Sequence, residues 1–284
     1  MNSTALITGG TSGLGLESAR VLAQRGFTVL LTGRTLAAAE LACKQIGPHC
    51  MPLELELESP ESIVACADRV AALAPSLNVL MCNAGIMVIG KRRVVRGIEQ
   101  HFAVNHLAHF LLVDRLRPNV LAAPQGRVVV VSSSAYKWAP PAGIEFDNLD
   151  GARGFTPNRA YGQSKLANAL FSLRLAHEFE GTRATSNSVN PGPSDTALWR
   201  HFPWWQRALL APFKKKLLKS AAVAAETQLH VANAPELARV SGRHFEKSVE
   251  MTPPPQVCDR ALADRLWQLS SELMQPYLRG SMQQ

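Results

Sequence analysis

From Thr4 to Gly15 the chain reads TALITGGTSGLG, an apolar strand that runs directly into a glycine-rich turn. Residues without a Cβ are needed in such a turn so that backbone N–H groups can approach a pyrophosphate. The segment that follows has helical periodicity, and its N-terminal dipole would point at the same anion. Many glycine turns are purely structural, but this one follows the first strand of an α/β pattern, which favours nucleotide binding. The predicted contacts are Gly9, Thr11, Ser12, Gly13, Leu14 and Gly15.

Apolar runs alternate with helix-period segments from this turn to about residue 190. The runs predict strands at residues 4–8, 28–32, 51–57, 79–82, 127–132 and 185–189, and the segments between them predict helices near 14–25, 36–46, 60–73, 97–116 and 158–179. This alternation implies an α/β fold with a central parallel sheet and helices on both faces, and right-handed crossovers make it doubly wound. Because no linker or repeat divides the chain, we predict a single domain over residues 1–284, with a C-terminal strand and helix.

The second predicted strand ends in Leu31-Thr32-Gly33-Arg34. Sites specific for NAD place an acidic residue near this point, where its carboxylate bonds the adenosine ribose hydroxyls. No acid is present here, and the Arg34 guanidinium suits a 2′-phosphate instead. A surface arginine in a turn is the alternative interpretation. We predict NADP(H) as the cofactor, bound in part through Arg34.

Length and composition fit a globular protein of a reducing compartment. The 284 residues are 46% hydrophobic, which allows a sizeable core. The five cysteines are odd in number and form no CxxC pair, which argues against a disulfide framework or a structural zinc site. No secretory signal is visible, and no stretch reaches the roughly 18 apolar residues of a membrane span, so we expect a cytoplasmic location.

The chain carries a formal net charge of +8, and its isoelectric point is about 9.5. A solvated basic surface is the simplest interpretation, and attraction of an anionic cofactor or a peripheral membrane contact is the next. No nucleic-acid-binding motif accompanies the charge, so we expect no nucleic-acid partner. The positive residues cluster at Lys91, Arg92, Arg93 and Arg96, and again at Lys214, Lys215, Lys216 and Lys219.

Tyr161 and Lys165 stand four residues apart at the start of an apolar-periodic helix. Residues at this spacing share one helix face, so the Lys165 ammonium can lie beside the Tyr161 hydroxyl. A neighbouring positive charge favours the phenolate and would lower the pKa of Tyr161 from its usual value of about 10 toward neutrality. The pair therefore predicts a proton-transfer group, although a tyrosine and a lysine at this spacing also occur by chance.

Further polar residues stand where the predicted strands end. Ser132-Ser133-Ser134 closes a strand of valines, and Asn83-Ala84-Gly85 closes the strand before it. Ligands bind at the carboxyl ends of the strands in folds of this kind. Asn105 interrupts an apolar helical segment, where asparagine has poor propensity. A buried amide with satisfied hydrogen bonds is the alternative interpretation of Asn105.

Taken together, these motifs resemble the short-chain dehydrogenase/reductase family. The resemblance covers about residues 4–200, and its motifs occur in the family's order: the glycine pattern, Asn83-Ala84-Gly85, Asn105, the serine run, Tyr161 with Lys165, and Asn190-Pro191-Gly192. Residues 146–149, 160–168 and 263–267 further resemble the retinol dehydrogenase-like branch. The resemblance implies a Rossmann-type fold and hydride transfer between a nicotinamide and a carbonyl or alcohol carbon.

The resemblance also implies roles for individual residues. Tyr161 would be the general acid in reduction and the base in oxidation, and Lys165 would lower its pKa and bond the nicotinamide ribose. Ser133 would bond the substrate oxygen, although the long gap to Tyr161 leaves Ser132 and Ser134 as alternatives. Asn105 would hold a water in a proton relay to Lys165. Further cofactor contacts are implied at Glu56, which replaces the family's usual aspartate, and at Leu57, Asn83, Ala84, Gly85, Pro191, Gly192 and Thr196.

An aromatic and basic segment follows the Pro-Gly turn. It contains Trp204, Trp205 and Phe213 ahead of a lysine run. The family that the chain resembles has a mobile substrate-binding lid in this region, so we predict a lid at residues 193–220 that closes over an apolar substrate. An amphipathic membrane-surface helix and an ordinary packed helix are the alternatives. Pro212 argues against one continuous helix.

Three functions other than an oxidoreductase fit the sequence less well: a metal site, a silent nucleotide sensor, and an epimerase or dehydratase. His106 and His109 have the spacing of metal ligands, but no nearby carboxylate or cysteine would be a third ligand, so we predict no metal. A catalytically silent NADP(H)-binding sensor would keep the fold, yet such proteins usually lose the tyrosine or the lysine. A sugar-nucleotide epimerase or dehydratase uses the same tyrosine chemistry with differently spaced glycines.

We predict a carbonyl reductase or alcohol dehydrogenase with a small-molecule carbonyl or alcohol substrate. The fold does not fix that substrate, and a retinoid does not follow from the resemblance. Reduction is the expected direction if NADPH is the cofactor. A homo-oligomer is compatible with the sequence.

Overall fold

The computed structural model describes residues 3–192 and 220–278. Within these residues, short aliphatic runs form most strands of a central sheet, and the runs are almost uninterrupted because helices cover both faces of the sheet. A separate two-stranded hairpin consists of β5 (Val94–Val95) and β6 (Ile98–Glu99). The central strands are β1 (Thr4–Ile7), β2 (Thr28–Gly33), β3 (Cys50–Glu54), β4 (Val79–Cys82), β7 (Arg127–Val131), β8 (Thr185–Asn190), β9 (His244–Glu246) and β10 (Val249–Met251).

The strand order of the central sheet is β3-β2-β1-β4-β7-β8-β9-β10. Neighbouring strands are parallel from β3 to β9, and only β10 joins this described sheet in the antiparallel direction. Because β1 pairs with β2 on one side and β4 on the other, the chain reverses its direction of travel across the sheet at this point. Such a switch opens a crevice at the carboxyl ends of the strands, where ligands bind in doubly wound folds.

Helices connect the parallel strands and cover the two faces of the sheet. A π-helical turn (Ala103–Leu107) joins a short helix to a longer one at the fourth crossover. The helices are α1 (Gly13–Gln24), α2 (Leu36–Ile46), α3 (Pro60–Leu73), α4 (Gln100–Phe102), α5 (Ala108–Ala122), α6 (Pro157–Glu178), α7 (Ala221–Asn233) and α8 (Arg260–Met274).

Alternate strand residues build two separate cores. Leu6 and Leu80 pack with α3, α5 and α6 on one face, whereas Ile7 and Met81 pack with α1, α2 and α7 on the other. This division follows from the two-residue period of a strand. On the outer side of α6, α8 adds a third cluster.

The predicted fold class is confirmed: the chain is an α/β protein with a doubly wound, largely parallel sheet and helices on both faces. The six predicted strands and five predicted helices are all present. The strand predicted at 51–57 is too long at its carboxyl end, since β3 ends at Glu54. There the amide of Glu56 donates to Ser62 Oγ (3.0 Å), and the chain turns into α3. The helix predicted from residue 97 begins at Gln100, because residues 98–99 pair in the hairpin.

Some predictions fall outside the described residues. Residues 193–219, which hold Thr196, Trp204, Trp205 and Phe213, belong to this group, and so does most of the predicted lid. The single domain over 1–284 and the cytoplasmic location also stay predictions. No helix within residues 3–192 and 220–278 combines the length and apolar content that a membrane crossing demands.

Candidate active site

The glycine-rich turn between β1 and α1 is shaped for a close ligand approach. Gly9 and Gly13 have φ angles of +65° and +59°, which side chains of L-residues rarely allow. A Cβ on Gly15 would lie 2.4 Å from the Gly9 carbonyl oxygen. The N-cap residue Ser12 makes no side-chain capping bond, so the amides of the first turn of α1 are left to an anion. The predicted contacts Thr11 and Leu14 lie in this turn and at the start of α1.

Thr8 ties the glycine turn to the end of β4. Its Oγ1 accepts hydrogen bonds from the amides of Asn83 and Ala84, both at 2.9 Å. The Asn83 side chain donates back to the Thr8 carbonyl at 2.9 Å. These bonds hold the glycine turn and the loop at residues 83–85, which are far apart in sequence, together at one edge of the sheet.

A positive charge without a partner among the described residues follows the end of β2. Arg34 is exposed, and among the described residues it forms no ion pair or hydrogen bond. A Cβ on Gly33 would lie 2.7 Å from Thr11 Cγ2, which places the end of β2 against the glycine turn. The Glu54 carboxylate is also at this edge, where it accepts from the Leu36 amide at 3.2 Å. Arg34 is therefore free to bind an anion beside that carboxylate.

The two predicted contacts after β3 differ in their surroundings. Glu56 Oε1 accepts from the Glu58 amide at 3.1 Å, so this carboxylate stabilises the turn into α3. Leu57 is partly buried and packs against the core. Their predicted contacts with the adenine stay predictions.

Tyr161 and Lys165 lie in the first half of α6, as their spacing predicts. The Lys165 ammonium is 5.7 Å from the centre of the Tyr161 ring and donates to the Val131 carbonyl at 3.2 Å. A Cβ on Gly85 would lie 3.3 Å from Lys165 Nζ and 3.1 Å from Asn105 Oδ1. Four predicted site residues therefore converge at the carboxyl edge of the sheet.

The Asn105 side chain connects the loop after β4 with α6 through hydrogen bonds to both. Its Oδ1 accepts from the Ile86 amide (2.7 Å), and its Nδ2 donates to the Ile86 carbonyl (3.0 Å) and to Ser164 Oγ (2.9 Å). Ser164 in turn donates to the Tyr161 carbonyl at 2.8 Å. The amide is buried and fully bonded, as the alternative interpretation predicted, and it also positions the site. The water-holding role of Asn105 stays a prediction.

The three consecutive serines have different partners. Ser132 is buried, and its hydroxyl donates to the Lys165 carbonyl at 2.7 Å. Ser133 lies close enough to the Tyr161 hydroxyl to lower its pKa, and Ser134 is exposed. Among the three, Ser133 is thus the hydroxyl that the structure brings to the tyrosine.

Burial controls the titration of Tyr161 and Lys165. It raises the pKa of Tyr161 to about 12, and the nearby Ser133 hydroxyl only partly offsets this effect. Burial also lowers the pKa of Lys165 to about 8. The expectation that Lys165 brings the pKa of Tyr161 toward neutrality is therefore wrong for the chain by itself, since desolvation of the phenolate outweighs the lysine charge. At neutral pH the Tyr161 hydroxyl holds its proton and can donate it.

A buried histidine connects the glycine turn with Asn105. His109 Nδ1 lies 3.0 Å from the Asn105 carbonyl oxygen, and its Nε2 lies 2.9 Å from Thr8 Oγ1. A carbonyl only accepts, so Nδ1 carries the proton and Nε2 accepts from the Thr8 hydroxyl. Burial lowers the pKa of His109 to about 4, which keeps the ring neutral. His106 bonds Ser270 instead (2.9 Å), and no metal-binding group of three side chains occurs within the described ranges.

The predicted contacts after β8 form a fixed turn. The Gly192 amide donates to Asn190 Oδ1 at 3.0 Å, and Asn190 Nδ2 donates to Glu246 at 3.1 Å. Pro191 lies between them. Thr8 was not among the predicted site residues, although it directly precedes Gly9. Gln228 was not among them either; it bonds Asn83 Oδ1 at 3.3 Å from a distant helix, and nothing local in the sequence signals that contact.

Comparisons with known proteins give a consistent set of relatives. A family profile described as short chain dehydrogenase matches residues 3–146. The short-chain dehydrogenase TIC 32 A, chloroplastic, of Brassica napus is 38% identical over 96% of this chain and 88% of its own length. Human retinol dehydrogenase 14 is 34% identical over 95% of this chain and 86% of its own. Mouse retinol dehydrogenase 12 is 35% identical, with coverages of 95% and 85%.

Solved structures share the fold. An uncharacterised protein from Mycobacterium paratuberculosis superposes with a TM-score of 0.77 at 27% identity, and covers 96% of this chain and 93% of its own. A protein from Shigella flexneri, described as a short chain dehydrogenase complexed with NADP, superposes with a TM-score of 0.66 at 25% identity, with coverages of 87% and 97%.

Proposed function

The chain belongs to the short-chain dehydrogenase/reductase family, in its retinol dehydrogenase-like branch, and on that premise we propose that it interconverts a carbonyl compound and an alcohol with NADP(H). The observation that carries this proposal is the convergence of Tyr161, Lys165 and Asn105 at the carboxyl edge of the sheet, with Ser133 close enough to the Tyr161 hydroxyl to act on its pKa. Oxidoreductases of this family bind a nicotinamide cofactor, which supplies or accepts the hydride when it is bound.

The described side chains account for the proton half of the reaction. In reduction, Ser133 donates to the substrate oxygen and polarises the carbonyl. Tyr161 gives its phenolic proton to the same oxygen as negative charge develops there, and the substrate gains a hydride at carbon and a proton at oxygen. The Lys165 ammonium opposes the negative charge left on the phenolate. Because burial raises the pKa of Tyr161 to about 12, the tyrosine is held in the acid form that reduction requires.

The residues at the sheet edge fit the parts of a dinucleotide. The narrow glycine turn and the uncapped amides of α1 suit a pyrophosphate. The loop at residues 83–85 lies next to Lys165, and the turn at 191–192 follows the carboxyl end of β8. Both would contact the nicotinamide half. Arg34 would hold the 2′-phosphate that distinguishes NADP from NAD.

Arg34→Asp is expected to narrow or reverse a preference for NADPH over NADH. A charge-assisted hydrogen bond contributes roughly 1.5–3 kcal/mol, on the order of 10–150-fold in affinity. Dissociation constants for both cofactors measure the preference. The matched control is Arg25→Asp, because Arg25 is an exposed arginine at the far end of α1. Equal affinities in the unmodified protein, or tighter binding of NADH, would contradict the assignment.

An apolar substrate is favoured by two side chains near the tyrosine. Ile89 is 52% exposed and directly follows Val88. The Val88 amide donates to His101, and the ring of His101 packs against that of Tyr161. Trp138 is 47% exposed, and its carbonyl carbon lies 2.6 Å from the position of a Cβ on Gly162. Both side chains would offer apolar contact surface to a substrate, since sites for small molecules are lined mainly by apolar and aromatic groups.

A screen of ketones, aldehydes and alcohols with both cofactors tests the proposal. We expect NADPH oxidation with at least one apolar carbonyl compound, and slower or no oxidation of NADH. The alternative, a catalytically silent NADP(H)-binding sensor, predicts tight NADPH binding without turnover of any compound. Binding and turnover therefore have to be measured on the same preparation.

A further inference from the structure

His101 is a buried residue that packs against the proposed proton donor. It is 2% exposed, and its ring centre lies 6.0 Å from that of Tyr161, with an angle of 72° between the ring planes. This edge-to-face arrangement restricts the orientation of the tyrosine ring. His101 is not a proton donor to the substrate, because both of its ring nitrogens are already hydrogen-bonded to other groups.

The hydrogen bonds of His101 fix its tautomer. Nε2 lies 2.9 Å from the Val88 amide, and a backbone N–H only donates, so Nε2 must be unprotonated. Nδ1 lies 2.8 Å from Glu99 Oε1, and a carboxylate accepts, so Nδ1 carries the proton. Both hydrogen bonds therefore require a single tautomer of the ring, in which Nδ1 donates to Glu99 and Nε2 accepts from Val88.

Glu99 supplies a rigid support for this arrangement. It is 3% exposed, and its second oxygen accepts from the amides of His101 (2.9 Å) and Phe102 (3.3 Å). Its own amide donates to the Leu149 carbonyl at 2.8 Å. The carboxylate is thus anchored by backbone groups, and it dictates which nitrogen of His101 holds the proton.

We propose that His101, with its tautomer selected by Glu99, is a positioning residue for proton transfer by Tyr161. Its ring packs edge-to-face against one side of the Tyr161 ring. Its Nε2 accepts a hydrogen bond from the amide of Val88, which lies in the loop that contains Gly85. Asn105 fixes the same loop through Ile86. His101 therefore aligns the phenol with the loop that places Gly85 beside Lys165. This proposal rests on the proposed function.

Two substitutions at His101 separate positioning from simple packing. His101→Phe keeps a ring against Tyr161 but removes both hydrogen bonds. His101→Gln keeps an acceptor for the Val88 amide. The matched control is His106→Phe, since His106 is an equally buried histidine of the same segment that bonds Ser270 rather than a site residue.

The single-turnover rate with NADPH and the best carbonyl compound of the screen is the readout. For His101→Phe we expect a fall of about 10- to 100-fold, since small misplacements of a reacting group have effects of this order. We expect an increased solvent deuterium isotope effect, because proton transfer becomes slower, and an NADPH dissociation constant within about twofold of normal. His101→Gln should restore most of the rate, and His106→Phe should leave the rate per folded molecule and the isotope effect unchanged.

Two results would overturn the positioning role. One is a His101→Phe protein that keeps a rate within about twofold of normal. The other is a rate that falls without any change in the solvent isotope effect, which indicates that a step other than proton transfer has become slower. Thermal unfolding of each variant gives the folded fraction at the assay temperature. If the unmodified protein reduces no carbonyl compound, the proposed function itself fails, which is a separate outcome.

Discussion

Tyr161→Phe is expected to lower kcat for carbonyl reduction by at least about a hundredfold while NADPH binding stays nearly unchanged. General acid catalysis contributes typically 10²–10⁴-fold, and this substitution removes only the group that supplies the proton. The aromatic ring and its edge contact with His101 are retained, so the geometry around Lys165 should persist. The measurements are kcat in steady state and the NADPH dissociation constant.

The matched control for this substitution is Tyr277→Phe. The Tyr277 hydroxyl bonds Glu61 and Arg96 at the surface and has no contact with Tyr161 among those that the described residues make. Its loss should leave kcat unchanged. A Tyr161→Phe protein with near-normal kcat, and with NADPH still bound, would falsify the role of Tyr161.

The free energy of unfolding is expected to fall by several kcal/mol as the pH is lowered from 6.5 to 4. Burial lowers the pKa of His106 to about 3, and those of His109 and His244 to about 4, from the usual 6.5. In the unfolded chain these histidines take up protons near pH 6.5, whereas in the folded protein they do so only at much lower pH. The unfolded state therefore binds more protons across this window, and stability is lost as the pH falls.

His106→Gln tests this account of acid sensitivity. One proton of difference between the states corresponds to about 1.4 kcal/mol per pH unit, so removing one of the three histidines should reduce the slope by up to that amount. Urea unfolding at several pH values between 7 and 4.5 measures the slope. His177→Gln, at an exposed histidine, should leave the slope unchanged. Equal slopes in all three proteins would show that other groups cause the acid sensitivity.

Local sequence patterns predicted the parts of the site that depend on short spacing. The glycine turn, the end of β2 at Arg34 and the pair on α6 are each formed within a few residues, so their geometry follows from strand and helix periods. The sheet edge where they meet also followed from the alternation of strands and helices. Ser133 could not be separated from its neighbours, because the choice depends on where Tyr161 lies across the fold.

Features that depend on long-range packing were missed. The pKa of Tyr161 moves upward because of burial by distant segments, which the spacing to Lys165 does not reveal. The bonds of His101 with Val88 and of His109 with Thr8 join residues of different elements. The observed strand is shorter than the predicted 51–57, because the Glu56 amide donates a hydrogen bond to Ser62 of the next helix instead of to a neighbouring strand.

Transfer of deuterium from NADPH to product tests the central claim most directly. NADPH carrying deuterium at both C4 positions is incubated with the protein and the carbonyl compound that it reduces, and the alcohol is analysed by mass spectrometry. The account predicts one deuterium per product molecule, on the carbinol carbon, and transfer of this label should slow with Tyr161→Phe. An alcohol without deuterium on that carbon, or no alcohol from any compound of the screen despite bound NADPH, would contradict it.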